Sequence, residues 1–355
     1  MGSGRSTNKK ETTMRTKGIC YDTGFLDPHD QTTSREPFDP DLVRRELTII
    51  RDDLHCTAVQ VVGGDPDRLD LAARCAAGLG LAVWFSPYPL EQPPDRIRSL
   101  LLDCADRAER LRATGAEVVF VAGVELTMMN RGFLDGDTVA ERLGYLFADP
   151  AARPARIARV QVRLGEFLRD LVPAIRAAFH GPVTYAAIQY EGVDWDLFDI
   201  VTVELIRSAE VADRFRDGVR TLVAQPKPLA ISGFGTATWR GSGDVAPRSM
   251  EILGRDPATG ELRLTEVLDR DEAGQAHYLR ELLELFDTEG VDSTFVHLFA
   301  LYNLPHRPDG DPRDDLDLAS GGVVKVLDGR LGETYPGLPW EPKAAFAAIA
   351  DRYSA

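Results

Sequence analysis

Carboxylates, amides and aromatic rings recur at one kind of place in this chain, at or just after short apolar runs. The run 18–22 ends in Asp22, the run 57–62 carries Gln60, and the run 81–85 ends in Trp84 and Phe85 before Ser86. The run 117–122 leads into Gly123-Val124-Glu125. Gln189-Tyr190-Glu191 and Asp194-Trp195 come after the next run, and Glu204 and Arg207 after the one beyond it. Then come Ser232-Gly233-Phe234-Gly235 with Trp239-Arg240, and finally His297, Tyr302, Asn303 and His306. If the run ends meet, they form a mouth with several carboxylates and several aromatics. Sugars call for that combination, because aromatic faces pack on the apolar C–H faces of pyranose rings while carboxylates and amides bind hydroxyls. Glycosidic cleavage generally uses two carboxyl groups, one a protonated acid and the other a nucleophile or base. Each residue also has a plainer explanation. A strand-end Asp or Glu such as Asp22, Asp194 or Glu204 equally caps a helix or joins a rim ion pair, and Trp84 equally fills a core. Glu125 stands out because it closely follows an apolar run and precedes an insertion.

Positioning these groups falls to an alternation of short apolar runs and amphipathic helices that starts at Lys17. Asp39 and Pro40 suit the N-cap and first position of a helix, with Leu42, Val43, Leu47, Ile49, Ile50 and Leu54 at helical spacing. Asp65-Pro66 opens a second helix that closes at Gly78 and Gly80. Strands are expected at 18–22, 57–62, 81–85, 117–122, 182–188, 200–204, 228–231 and 293–299. Helices are expected over 94–114, 156–179, 208–224, 271–287 and 340–353. Residues 127–155 read as an insertion with a short helix, and 240–268 as a Gly-punctuated loop with a hairpin. Continuous apolar strands separated by helices are the pattern of parallel strands buried on both faces. Eight of them predict an α/β fold, a single-domain (β/α)8 TIM barrel, whose chemistry belongs at the C-terminal ends of the strands. A doubly wound sheet would want a Gly-rich phosphate turn after the first strand, and Tyr21-Asp22-Thr23-Gly24-Phe25 is no such turn.

The 355 residues carry 41 Lys+Arg against 56 Asp+Glu, a net charge of −15. That acidity argues against nucleic acid or anionic lipid as a partner, since both need a basic face. A small-molecule or carbohydrate ligand is expected instead; oligomeric state is not legible. Cys20, Cys56, Cys75 and Cys104 form no CxxC pair and read as buried thiols of a reducing compartment, which makes a cytoplasmic location the expectation. No apolar stretch approaches the ~18 residues of a membrane span. Residues 1–16 are polar and basic and are expected to be a disordered tail or an expression scar. A metal reading would group His297 and His306 with Asp22 or Glu191, but that spacing matches no ligand pattern, so neither metal nor cofactor is expected. His29, His55 and His180 read as surface or core residues.

Two stretches resemble clan A glycoside hydrolases. Arg44-Arg-Glu-Leu-Thr-Ile-Ile-Arg-Asp-Asp-Leu-His-Cys-Thr-Ala-Val-Gln-Val-Val62 is similar to their first helix and second strand, and Lys227-Pro-Leu-Ala-Ile-Ser-Gly-Phe-Gly235 to their seventh strand. The chain also resembles a group of actinobacterial barrel proteins often labelled abortive-infection protein. That likeness runs through Lys17-Gly-Ile-Cys-Tyr-Asp-Thr-Gly-Phe25, Glu191-Gly-Val-Asp-Trp195, Leu304-Pro-His-Arg307 and Pro339-Trp-Glu-Pro-Lys-Ala-Ala-Phe346.

The clan A resemblance implies that Glu125 is the acid/base at the end of strand 4. The chain departs from the clan at three places: Val124 stands where an Asn normally precedes that Glu, Gln60 replaces an Arg on strand 2, and Gly233 occupies the slot of the nucleophilic Glu on strand 7. Glycine cannot attack an anomeric carbon, and a void of carboxylate size is expected there. Three readings are open: an introduced knock-out, a natural barrel that does different chemistry using Glu125 with Glu191 or Glu204, or a sugar-binding pseudoenzyme. The expected function is action on a carbohydrate or glycosylated metabolite. Asp22, Gln60, Trp84, Asp194, Trp195, Trp239, Tyr302, Asn303 and His297 are expected to line the substrate site. The alternative is a non-hydrolytic enzyme of secondary metabolism, a cyclase, dehydratase or isomerase, working from the same mouth.

Overall fold

A computed structural model describes residues 14–26 and 32–354. Eight parallel strands close into a barrel: β1 (Thr16–Asp22), β2 (Ala58–Gly63), β3 (Ala82–Pro87), β4 (Val118–Val124), β5 (Val183–Ala187), β6 (Val201–Glu204), β7 (Leu229–Phe234) and β8 (Ser293–Val296). Each pairs with its neighbour in sequence, and β1 meets β8 to seal the sheet. The helices are α1 (Pro40–Asp52), α2 (Pro66–Gly78), α3 (Pro94–Arg112), α4 (Leu126–Met129), α5 (Val139–Phe147), α6 (Arg153–Ala178), α7 (Ala212–Val223), α8 (Glu272–Glu289) and α9 (Ala344–Tyr353). This is the (β/α)8 barrel that the alternation predicts.

The first two helices start where their caps dictate. The Asp39 carboxylate accepts from the Asp41 N–H at 2.9 Å and that of Asp65 from the Asp67 N–H at 2.8 Å, with Pro40 and Pro66 as the first helical residues. The strands' outward side chains and the helices' inner faces make one apolar layer, with Leu47, Ile50, Leu69, Ile97, Leu171 and Phe286 buried in it. The inward side chains make a second core inside the barrel, where Trp84 and Phe295 pack at a tilt with ring centroids 4.6 Å apart. A filled barrel leaves only its mouth for a ligand.

The structure departs from the sequence reading at the start of β1 and of the last helix, and agrees with it between β5 and β6, where no helix is expected, and at the hairpin. β1 starts at Thr16 and Met14 is buried, so the expected tail ends sooner than residue 16. Its first thirteen residues, and His29, lie outside the described residues. No α-helix joins β5 to β6; single 3-10 turns at Gln189–Glu191 and Trp195–Leu197 stand there. The expected hairpin exists, with Leu253–Arg255 antiparallel to Leu262–Leu264. Trp340–Pro342 pairs antiparallel with Val324–Val326, which delays α9 to Ala344.

One buried ion pair pins the loop after β1. Arg35 contacts Glu46 of α1, with side-chain exposures of 1% and 0%. Arg35 also donates to the Tyr21 hydroxyl at 2.9 Å and the Asp22 carbonyl at 3.0 Å, and Glu46 also accepts from Trp340 Nε1 at 2.9 Å and from the Tyr302 hydroxyl. Removing one partner strands the other charge in an apolar surround. Glu46→Ala is therefore expected to cost about 3–5 kcal/mol in urea unfolding; a loss within ~0.5 kcal/mol, the range of an ordinary surface substitution, would refute this pinning role.

Candidate active site

A cavity of about 300 Å³ opens at the C-terminal ends of the strands, with Glu125, Glu204, Gln60, Tyr88 and His297 in its wall. Residues 246–251, from the long loop after β7, form part of its rim. Trp239 holds that rim from behind, donating its indole N–H to the Ser249 carbonyl at 2.9 Å.

Glu125 reaches the cavity because β4 is irregular. Val121 pairs with Thr184 of β5 but Val124 with Ala186, so β4 carries one extra residue over this stretch, a β-bulge that re-aims the next side chains. Gly123 takes φ +127°, and a Cβ there would lie 2.6 Å from the Leu126 side chain. Glu125 itself has φ 45°, uncommon for a residue other than glycine. The turn is fastened to β5 and the segment after it. The Glu125 N–H donates to the Ala186 carbonyl at 3.0 Å and the Leu126 N–H to the Tyr185 hydroxyl at 3.0 Å. The Thr127 N–H and hydroxyl donate to Glu191 at 3.2 and 2.8 Å. Burial pushes the Glu125 carboxyl well above the usual range, the charges of Glu204 and Glu191 push it further, and a hydrogen bond from Tyr88 opposes them. The balance favours the protonated form of Glu125.

Glu204 answers the question posed by Gly233. β7 also carries an extra residue, since Thr294 of β8 pairs with Ile231 and Val296 with Phe234. Gly233 adopts φ +67° in this bulge, and an ideal Cβ there would fall 1.2 Å from Glu204 Oε2. The slot expected to be void is filled by a carboxylate delivered from β6. Ser232 donates to Glu204 Oε1 at 2.7 Å. Burial raises the Glu204 carboxyl to about 7, with the Ser232 bond opposing. The charges of Glu125 and Glu204 repel, so the two titrate as a pair. Beneath them Cys20 donates to Gln60 at 3.4 Å and Gln60 to Ser86 at 3.2 Å; burial raises the Cys20 thiol, which leaves it inert.

Two further polar groups face the cavity. Thr236 lines it at 3% residue exposure, and its buried hydroxyl has no hydrogen-bond partner in the protein. Burial lowers His297 to about 4, so its imidazole is neutral. An unpaired buried hydroxyl costs free energy.

The structure brings Glu125, Glu204, Gly233, Gln60 and His297 together and places the other expected residues elsewhere. Glu191 is buried behind the turn and does not line the cavity. Its four bonds come from the Thr127 N–H and hydroxyl, the Tyr185 hydroxyl and the Ile188 N–H. Asp22 is likewise occupied, accepting from the Gly24 N–H and the Ser34 hydroxyl at 2.6 Å each. Trp84 is barrel core. Asp194 caps the turn that starts at Trp195, and Trp195 packs on Phe198, because this helix-free connection carries the chain away from the mouth. Tyr302 belongs to the Glu46 network, and Asn303 is exposed outside the cavity wall. Tyr88, Thr236 and residues 246–251 line the cavity although strand-end position does not single them out; the one signal for Tyr88 is a tyrosine two residues beyond the strand-ending Ser86. Among the described residues no group of three or more His, Cys, Asp or Glu is arranged to hold a metal, and no helix is long and apolar enough to cross a membrane.

Gly233→Ala should cost about 2–4 kcal/mol, combining left-handed backbone strain with overpacking against Glu204. In a Glu204→Ala background the same change should cost only about 1 kcal/mol; equal penalties in thermal unfolding would show that Glu204 does not occupy this space. Stability should also respond to pH. Asp22 is raised by burial to about 6, and Glu191 and Glu204 to about 7. Carboxyls raised on folding stabilise fully below their unfolded values and lose that contribution as pH rises through the folded ones. His297, lowered to about 4, opposes this only below about 6.5. Stability attributable to these groups should fall as pH rises from about 5 to about 8, less steeply in Glu204→Gln; an identical slope in the variant would contradict the raised Glu204.

No protein-family model and no curated protein sequence matches this chain. Solved structures do. A GH113 β-1,4-mannanase superposes with TM-score 0.61 at 16% identity over 96% of this chain and 99% of its own. A β-glucuronidase from Parabacteroides merdae gives 0.57 at 12% identity, and one from Ruminococcus gnavus 0.54 at 13%, each over 96% of this chain. The matches span only 37% and 49% of those two enzymes. The barrel is thus of the kind these glycoside hydrolases have.

Proposed function

We propose that this protein hydrolyses a glycosidic bond, with Glu125 as general acid and Glu204 as the second carboxylate. The observation that carries the reading is the pair itself: two half-buried, mutually repelling carboxyl groups in one cavity, one strongly raised and the other near 7. Carboxyls pushed to different proton affinities take different roles. Glu125 gives its proton to the leaving oxygen as the anomeric C–O bond breaks. Glu204 supports the positive charge that develops on the sugar ring and acts on the anomeric carbon, directly or through water. The hydroxyl of water ends on the sugar and the transferred proton on the released alcohol. Tyr88 orients Glu125 and Ser232 orients Glu204. The Thr236 hydroxyl and the neutral His297 imidazole bind sugar hydroxyls. No introduced knock-out is needed to account for Gly233, because Glu204 requires glycine there.

The substrate is a small glycoside with one terminal sugar in the cavity. About 300 Å³ lies at the low end for small-molecule sites. Trp84, Trp195 and Trp239 do not line it, so no aromatic row is laid out for a long chain. The likeness to a mannanase and to glucuronidases supports a carbohydrate substrate through the shared fold. The non-hydrolytic alternative uses one acid and has no task for Glu204.

A panel of aryl glycosides tests the assignment. Glu125→Gln should slow hydrolysis of poor leaving groups about 100- to 10,000-fold and that of dinitrophenyl glycosides far less, since good leaving groups need little protonation. Glu204→Gln should abolish both. Hydrolysis retained in Glu204→Gln would remove Glu204 from the mechanism, full activity in Glu125→Gln would remove that residue, and no hydrolysis by the wild type across a broad panel would favour the non-hydrolytic class.

A further inference from the structure

Glu191 makes no contact with the cavity, yet the sequence spends a fully buried carboxylate there, and both its neighbours and its charge bear on Glu125. Its two oxygens take four hydrogen bonds: from the Thr127 N–H at 3.2 Å, the Thr127 hydroxyl at 2.8 Å, the Tyr185 hydroxyl at 2.9 Å and the Ile188 N–H at 3.1 Å. Two of these come from the residue two places after Glu125. A third comes from Tyr185, whose hydroxyl also accepts the Leu126 N–H at 3.0 Å. The unusual backbone of the Glu125 turn, φ 45°, is thus held by one carboxylate and the tyrosine bonded to it. A backbone in this region persists only when its surroundings enforce it.

We propose that Glu191 is the positioning residue of this site: its buried carboxyl, bonded to Thr127, Tyr185 and Ile188, clamps the Glu125–Thr127 turn from behind, where its own charge also bears on Glu125. This rests on the reading of Glu125 as general acid. The groups that face Glu125 are Tyr88 from the end of β3, Tyr190 and Glu191 from the segment after β5, and Glu204 from β6. Buried Arg142 of α5 acts on Tyr190 but spends its charge on Glu91 at 2.6 Å. Across the cavity stand His297, Arg248 and Glu251. Arg248 lies 3.6 Å from Glu210 with a side-chain exposure of 57%, so solvent screens it. The near field at Glu125 is therefore set by carboxylates. A like charge at short range disfavours ionisation, and the direction of the shift at Glu125 agrees, with Glu191 among its causes.

Clamp and charge separate in two variants. Glu191→Gln keeps the length and one acceptor oxygen but removes the charge, while Glu191→Asp keeps the charge and shortens the reach. In the full chain with ¹³C-labelled glutamate carboxyls, the Glu125 resonance is identified by its absence in Glu125→Gln. Its titration should move down by about one pH unit or more in Glu191→Gln and stay near wild type in Glu191→Asp. The alkaline limb of kcat/KM should move with it. Glu191→Asp should lower kcat by roughly 100-fold through misplacement, with KM little changed. A purely architectural Glu191 would lower the unfolding temperature of both variants and leave the Glu125 titration where it was; that result overturns the proposal. If Glu191→Gln does not fold, Tyr185→Phe removes one donor and the Leu126 acceptor while leaving the charge. It should lower kcat without moving the limb, and unchanged kcat there would refute the clamp. The carboxyl titration needs no substrate, so it stands whether or not Glu125 proves to be the acid.

Discussion

Space at one position of β7 governs the mouth of this barrel. Glu204 lies on the neighbouring strand with its carboxylate where a side chain at 233 would begin, so the pairing of β6 with β7 and the placement of Glu204 are compatible only if residue 233 has no Cβ. Glycine meets that requirement and also supplies φ +67° for the bulge, which lets β7 keep register with β8 on either side of the extra residue. On the opposite wall, a second bulge carries β4 past Gly123 into the Glu125 turn. The two irregularities bring carboxyls from β4 and β6 into one cavity, and burial raises the proton affinity of both.

The fold is legible in the sequence because barrel physics acts on every strand. Runs such as Thr57–Val62 and Glu117–Ala122 are largely apolar on both faces, and Asp39-Pro40 and Asp65-Pro66 announce their helices by cap chemistry. The site is legible only where strand-end position alone decides it, as for Glu125, Gln60 and His297. Gly233 stands out as a departure but reads as a hole, since a single sequence does not show that β6 supplies the missing group. The tryptophans mislead for another reason. Trp84 sits low enough in β3 to point into the packed interior, and Trp195 rides a connection whose missing helix leaves no periodicity to notice. Thr236 is invisible in the sequence because its significance is an unpaired hydroxyl, a property of its surroundings.

Away from the mouth, charges are buried where they tie distant segments together. Arg35 and Glu46 join the loop after β1, helix α1, Tyr302 and Trp340. Lys343, just before α9, meets Asp317 at 2.9 Å with side-chain exposures of 0% and 1%, and Arg270 reaches the same Asp317 at 2.7 Å. Such pairs are poor sources of net stability but costly to break. Their effect here is to fix the long C-terminal excursion after β8 against the barrel, so the rim around the cavity rests on a determined base.

The helix-free link between β5 and β6 puts much of the site's machinery on one uninterrupted piece of chain. Tyr185 and Glu191, which grip the Glu125 turn, and Glu204, which fills the space above Gly233, all fall within it. In most barrels of this design an intervening helix would separate such groups and tie each to a different packing neighbourhood. Here a short exchange of sequence would carry the clamp and the second carboxylate together as one heritable unit. The receiving barrel would need little more than a glycine on the next strand and a glutamate at the end of β4.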